Sequence, residues 1–351
     1  MDPYNVNPYW DVYKNNNESK KDLFRLHASA TYNITSHWKL KGTAGAELNW
    51  FNFQDFKAPT TPGYEAGYMQ KSNFHNQMYN FELIATYNNR WGDFDFTGTA
   101  GGNIYLVDNA TSLITAQDMQ IRDVIALMSF NETSNQENSY RKQINSLFAA
   151  VNLGWRGLIY LDATVRGDQS STLPVGNNIY VYPSFSGSFV FSELIKRSDI
   201  LPYGKVRLSW AQVGSDTDPY QLGLVYTKSK YTYPGYTIGY IDNTTIPNKN
   251  LKPTRTNSFE VGFETKFLKN RIGLDFTYYN QVSKDQIMGM ASSWATGYPY
   301  RLINAGEIQN QGIEITLNTR PVEVGDFSWD LNFNFSKNEN KVKKLVDDMD
   351  M

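Results

Sequence analysis

The chain has 351 residues, with 33 Lys and Arg against 35 Asp and Glu for a formal charge of −2, no cysteine, and a mean hydropathy of −0.52. Near-neutral charge leaves no basic stripe for nucleic acid, and zero cysteines exclude disulfides, thiolate catalysis and Cys-ligated zinc. No run of 18 apolar residues exists, so transmembrane helices are excluded, while membrane strands, in which only alternate residues meet lipid, remain open.

The first residues, Met1, Asp2, Pro3 and Tyr4, lack the basic and apolar regions of an export signal, so the chain is expected to be a fragment of an exported protein. Alternation of apolar and polar side chains begins at 24–34 and is clearest at 38–50. There Trp38, Leu40, Gly42, Ala44, Ala46, Leu48 and Trp50 share one face, and Lys39, Lys41, Thr43, Glu47 and Asn49 share the other. One face suits lipid and the other water. At about 3.3 Å per residue and a 45° tilt, the two tryptophans stand roughly 28 Å apart along a membrane normal, the height of an apolar band with an aromatic girdle at each edge.

The same alternation recurs at 79–87, 94–106, 147–155, 159–165, 185–191, 206–210, 259–267, 272–278, 313–317 and 327–335. About twelve strands follow, many ending in aromatics, and the 24 Tyr and 8 Trp suit interfacial girdles. A soluble sandwich strand alternates in the same way, but the repetition favours an all-β fold, a transmembrane antiparallel β-barrel wall.

Connections alternate in length. Tight turns at 35–37, 88–92, 156 and 268–270, and a slightly longer one at 320–326, are expected on the periplasmic side. The long segments 54–72, 108–139, 169–179, 215–255 and 284–307 are expected outside the cell. The intermediate connection 192–202 opens with SELIKR and predicts a helical turn, and SLITAQDMQIRDVIALM (112–128) has the apolar spacing of a short helix lying on the barrel top. An even strand count then divides the chain into a truncated extracellular loop at 1–22, a partial barrel at 23–338 and a second truncated loop at 339–351.

No chemistry of catalysis is expected. His27, His37 and His75 lie in or beside separate strands with no HExxH pair and no serine elbow. The glycine clusters GTAG (42–45) and GTAGG (98–102) sit inside alternating strands and read as small wall residues. Asp216 and Asp218 could lend oxygens to Ca²⁺, but without EF-hand spacing they read as a structural turn, so neither a metal nor a cofactor is expected. Inward-facing polar residues, Arg25, Glu47, Arg166, Lys205, Arg207, Glu264, Asp275 and Asn334 among them, are expected to pair across strands.

Several segments carry a resemblance: NPYW (7–10), RGDQSS (166–171), YPSFSGSFVFSE (182–193), VGSDTDPY (213–220), and NKNLKP (248–253) leading into SFEVGFETKFLKNRIGLDFTYYN (258–280). The most specific are ATGYPY (295–300), NAGEIQNQGIEI (304–315) and FSWDLNFNFSKNENKV (327–342). Together they resemble the SusC/RagA-like branch of TonB-dependent outer-membrane transporters of Bacteroidota, departing at Thr254, where that family usually carries an acid. The resemblance implies an incomplete barrel of about twelve strands from a 22-stranded plugged transporter, with the TonB box, plug and closing strands outside this chain. It implies import of a bulky nutrient, foremost an oligosaccharide, across the outer membrane. The implied partners are a SusD-like lipoprotein over the loops, the TonB complex through the missing N-terminal region, outer-membrane lipid, and oligosaccharide or peptide cargo. Tyr231, Tyr233, Tyr236 and Tyr240 in one loop, with Trp294, Tyr298 and Tyr300 in another, offer flat faces for sugar rings or a docking lipoprotein. The rival reading is a soluble or surface-anchored all-β carbohydrate-binding protein whose sheets pack on each other. An outer-membrane barrel enzyme would need a clustered Ser/His or carboxylate constellation near one rim, and the sequence offers none.

Overall fold

The computed structural model describes residues 6–195, 199–228, 233–241 and 244–345. A short helix α1 (Pro8–Tyr13) precedes β1 (Asn16–Asn33), β2 (Trp38–Lys57), β3 (Tyr68–Trp91), β4 (Phe94–Met119), β5 (Phe130–Trp155), β6 (Ile159–Ser170), β7 (Ile179–Phe189) and β8 (Tyr203–Ser215). Three two-residue pieces follow, β9 (Thr227–Lys228), β10 (Gly239–Tyr240) and β11 (Thr245–Ile246). The chain closes with β12 (Thr254–Phe267), β13 (Ile272–Ala291), β14 (Tyr300–Val324) and β15 (Phe327–Lys344). The long strands are thus the twelve that the alternation marks.

Neighbours in sequence are neighbours in the sheet, in the order β1-β2-β3-β4-β5-β6-β7-β8-β12-β13-β14, with β15 also on β14 and β11 joined to β14 in parallel. Among the described residues β1 pairs only with β2 and β15 only with β14, so the meander does not close on itself. The long strands form one sheet, not the two facing sheets that a sandwich requires.

Two expectations need correction. Strand pairing begins at Asn16 rather than Leu23 and runs to Lys344 rather than Asn338, and β2 to β5 reach 20, 24, 26 and 26 residues. That is about twice what a bilayer needs. Alternation fades where both faces meet water, but ladder hydrogen bonds do not need it. The helix expected at 112–128 does not form either: β4 continues to Met119 and only Leu127–Ser129 makes a single 3₁₀ turn. The reason is the partner strand. Thr115 Oγ1 bonds Ser134 Oγ at 2.7 Å and Ser112 Oγ donates to Asn135 at 3.4 Å, so β5 supplies pairing that a marginal short helix could not match. The turn expected after 192 is present as a 3₁₀ turn at Phe191–Leu194, and 196–198 lie outside the described residues.

The chain divides into two compact units, one of Met1–Ala30, Gly42–Glu82 and Ile104–Gln143, the other of Thr31–Lys41, Leu83–Asn103 and Ile144–Met351. In the first, Phe56, Ala58, Met69, Ala116, Met119 and Phe130 form a small core against which Trp10 and Leu127 pack. The NPYW motif secures α1 to it. Asn7 caps the helix by accepting from Tyr9 N at 2.9 Å, Trp10 Nε1 donates to Thr61 Oγ1 at 2.9 Å, and Asn15 Oδ1 accepts from Ala58 N and Thr61 Oγ1, each at 3.0 Å.

In the second unit the register sorts side chains cleanly. Phe185 faces Trp210, which faces Phe259, and Phe263 stacks on Phe276 at 5.4 Å. On β15 Leu331, Phe333 and Phe335 keep 43%, 59% and 43% of their surface exposed. An apolar row this long, left bare along a sheet, is a surface made for lipid. The glycine of NQGIEI has a specific use: Gly312 lies between Tyr279 and Asn338, and Tyr279 crosses it to donate its hydroxyl to Asn338 at 3.0 Å. A Cβ there would sit 2.6 Å from that hydroxyl and overlap the Lys337 carbonyl.

Candidate functional site: the polar face and the loop platform

Opposite the apolar row, charges pair between strands. Lys205 Nζ stands 3.7 Å from Glu264, and Arg207 donates to both Asp275 oxygens at 2.9 and 2.7 Å and to Thr277 at 2.5 Å. Arg207 reaches β13 because the intervening β12 residue is Gly262, where a Cβ would lie 2.6 Å from its Nε. In the other unit Arg25 meets Glu47 at 2.6 Å. The bidentate, part-buried Arg207–Asp275 pair holds its geometry better than the single, exposed Arg25–Glu47 contact.

Toward the long-loop end of β6, the RGDQSS motif becomes a buried network. Arg166 Nε donates to Asp168 at 2.8 Å and its Nη2 to Ser146 at 2.8 Å, while the Tyr182 hydroxyl also donates to Asp168, which is 6% exposed. Ser170 and Thr172 donate to Asp216 at 2.5 and 3.2 Å, tying this motif to GSDTDPY. Asp216 therefore serves as a hydroxyl acceptor at a turn. Among the described residues no group of three His, Asp or Glu gathers to hold a metal.

Beside this network Leu173, Tyr180, Leu251 and Leu302 form a closed apolar cluster, with Tyr182, Leu222 and Ile287 packed against it. Leu251, from NKNLKP, has no exposed surface. Asn304, from NAGEI, accepts from Lys252 N at 2.8 Å and donates to the carbonyls of Lys252 at 2.7 Å and Asp285 at 3.0 Å. Thr254 donates to the same Asp285 carbonyl at 3.2 Å, a bond that a carboxylate there could not make. Motifs far apart in sequence thus interlock into a rigid base for the loops.

The aromatic candidates form two sets, on the segments that contribute Leu251 and Leu302 to that cluster. Tyr233 and Tyr236 close a turn with ring centroids 6.3 Å apart, and Tyr240 sits on the β9–β10 ribbon. Tyr231 lies outside the described residues. Trp294, 79% exposed, opens a 3₁₀ turn capped by Ser293, Tyr298 is half-buried, and Tyr300 starts β14, where its N–H bonds Thr244. Among the described residues no ring contact joins the sets.

The sequence reading missed a third aromatic face. Tyr9 and Tyr13, four apart on α1, are both more than three-quarters exposed and line a cleft of about 460 Å³ with Lys14, Thr60 and Pro62. Their i, i+4 spacing in PYWDVY was the available signal. In the following loop Glu65 is held below the usual carboxylate range by its own backbone N–H and that of Gly63.

The model of the β-barrel of TonB dependent receptor-like proteins matches residues 2–348. The chain belongs to this family of TonB-dependent receptor β-barrels. TonB-dependent receptor P3 of Formosa agariphila is 26% identical over 358 residues, covering 98% of this chain and 35% of that relative. TonB-dependent receptor SusC of Bacteroides thetaiotaomicron is 28% identical over 220 residues, 60% of this chain and 22% of SusC. The solved RagAB peptide importer in its 'closed-closed' state superposes with a TM-score of 0.87 at 19% identity, over 97% of this chain and 38% of that one. The chain therefore spans about a third of the length of the first of these relatives. As a TonB-dependent receptor barrel it is an outer-membrane protein, and its bare apolar row has the pattern of a lipid-facing surface.

Proposed function

We propose that this chain forms part of the wall and loop platform of an outer-membrane importer of bulky nutrients, foremost oligosaccharides. In this reading the importer is energised through TonB and works with a SusD-like surface lipoprotein that lids the long loops. The observation that carries it is the pair of aromatic sets, exposed Tyr233, Tyr236 and Tyr240 on one long segment and exposed Trp294 and Tyr300 with half-buried Tyr298 on another, the two segments that also contribute Leu251 and Leu302 to one closed cluster. Flat rings on a rigid base suit the apolar faces of sugars, and aromatics are equally the usual anchors of a protein partner. Peptide cargo is the second reading, supported by the likeness in fold to an importer described as one for peptides.

Two measurements test this. Cysteines replacing Asn89 and Asn270 should resist impermeant labelling of intact cells carrying the full-length protein, whereas cysteines at Tyr233 and Trp294 should label. Strong surface labelling of the first two overturns the topology. With orientation established, Tyr236→Ala and Trp294→Ala in the full-length protein should each weaken oligosaccharide binding by about three- to tenfold in calorimetry. Unchanged glycan affinity with weakened peptide affinity would move the assignment to peptide.

A further inference from the structure

The lipid-facing stripe on β2 to β4 does not end abruptly. Along alternate positions Leu48 and Trp50 lead to Asn52, Tyr79 leads through Gln77 to His75 and Asn73, and Leu106 leads through Asp108 and Ala110 to Ser112. Asn52, Asn73, His75 and Ser112, with Glu137 and Ser139 of β5, line a cleft of about 640 Å³. Its β4–β5 side is held by Arg141 Nε on Asp108 at 2.7 Å and by Ser112 on Asn135 at 3.4 Å. That volume lies in the range of small-molecule sites.

The lining decides the chemistry. Amides and hydroxyls present paired donors and acceptors suited to vicinal sugar hydroxyls, one carboxylate adds a strong acceptor, and among the described residues no lysine or arginine lines the cleft. A phosphate would meet Glu137, while the neighbouring cation, Arg141, is already engaged by Asp108. Position decides the source. A group continuous with the apolar stripe along the same alternate positions meets what stands above the hydrocarbon, while soluble cargo would follow the opposite, polar face. We propose that this cleft holds the saccharide of an outer-leaflet glycolipid, anchoring the long β2–β5 extension to its annulus. The proposal rests on the β2–β3 loop lying outside the cell, which surface labelling of Tyr64→Cys checks separately.

The test uses the full-length protein in detergent and native mass spectrometry, with rough-type lipooligosaccharide of defined structure, the matching lipid A without core saccharide, and the free core oligosaccharide as probes. The wild type should retain lipooligosaccharide about tenfold better than lipid A. Asn73→Leu/Ser112→Leu should fall to the lipid A level. Should that variant lose the heat-modifiable mobility of a folded barrel, His75→Ala/Glu137→Gln decides in its place. Equal retention of lipooligosaccharide and lipid A, or folded variants that bind as the wild type does, overturns the proposal. Free core oligosaccharide binding as tightly as the lipid-linked form also overturns it, assigning the cleft to soluble glycan.

Discussion

Phe263→Arg should destabilise the full-length barrel by about 2 to 4 kcal/mol when it lies near the bilayer midplane, whereas Asn334→Arg should cost far less. Phe263 stands opposite Val206 and Phe276 and stacks on the latter, on the face that also carries Trp210 and Phe259. A guanidinium there would enter hydrocarbon and would also lose the aromatic pair, worth about 0.5 to 1.5 kcal/mol. Asn334 accepts from Thr316 on the polar face, where an added cation finds water and neighbouring amides. Urea titration of folding into bilayers of defined composition separates the two. Equal losses would mean that the exposed apolar row is not a lipid surface.

The second large effect is local. Leu251→Ala should cost the loop platform about 2 to 5 kcal/mol, because a side chain with no exposed surface leaves a cavity among Leu173, Tyr180 and Leu302. The membrane wall does not depend on that contact, so heat-modifiable mobility should stay unchanged. Trypsin cleavage after Lys249, in the same loop, should accelerate by roughly thirtyfold or more, since proteolysis of a folded loop follows the population of its opened form. Cleavage at the wild-type rate would show that Leu251 does not hold the platform together.

These two effects separate what is local from what is not. Alternation at 38–50 can be read without knowing any other strand, because the two-residue period and the lipid–water contrast act on each side chain independently. The same applies to the other eleven long strands, to their tight turns, and to the expectation that lumen charges pair across strands, as Lys205 with Glu264 and Arg207 with Asp275 do. Repeated along the chain, this signal determined the all-β barrel wall, and the motif resemblance pointed to the family to which the chain belongs.

Other features depended on partners that no local window contains. The segment 112–128 has helical apolar spacing, yet it is strand to Met119 because Ser134 and Asn135 lie across from it. Strand ends at Asn16 and Lys344 were set by a neighbouring ladder and not by alternation. Nothing in NKNLKP or NAGEI shows that Leu251 closes a core or that Asn304 bridges two loops, because each bond joins residues tens of positions apart. The sequence by itself therefore determined which stretches form the wall and which side of each strand is apolar. Only the tertiary structure decided how far the strands rise beyond it and how the loops lock, since pairing and closed packing exist only once distant segments have met.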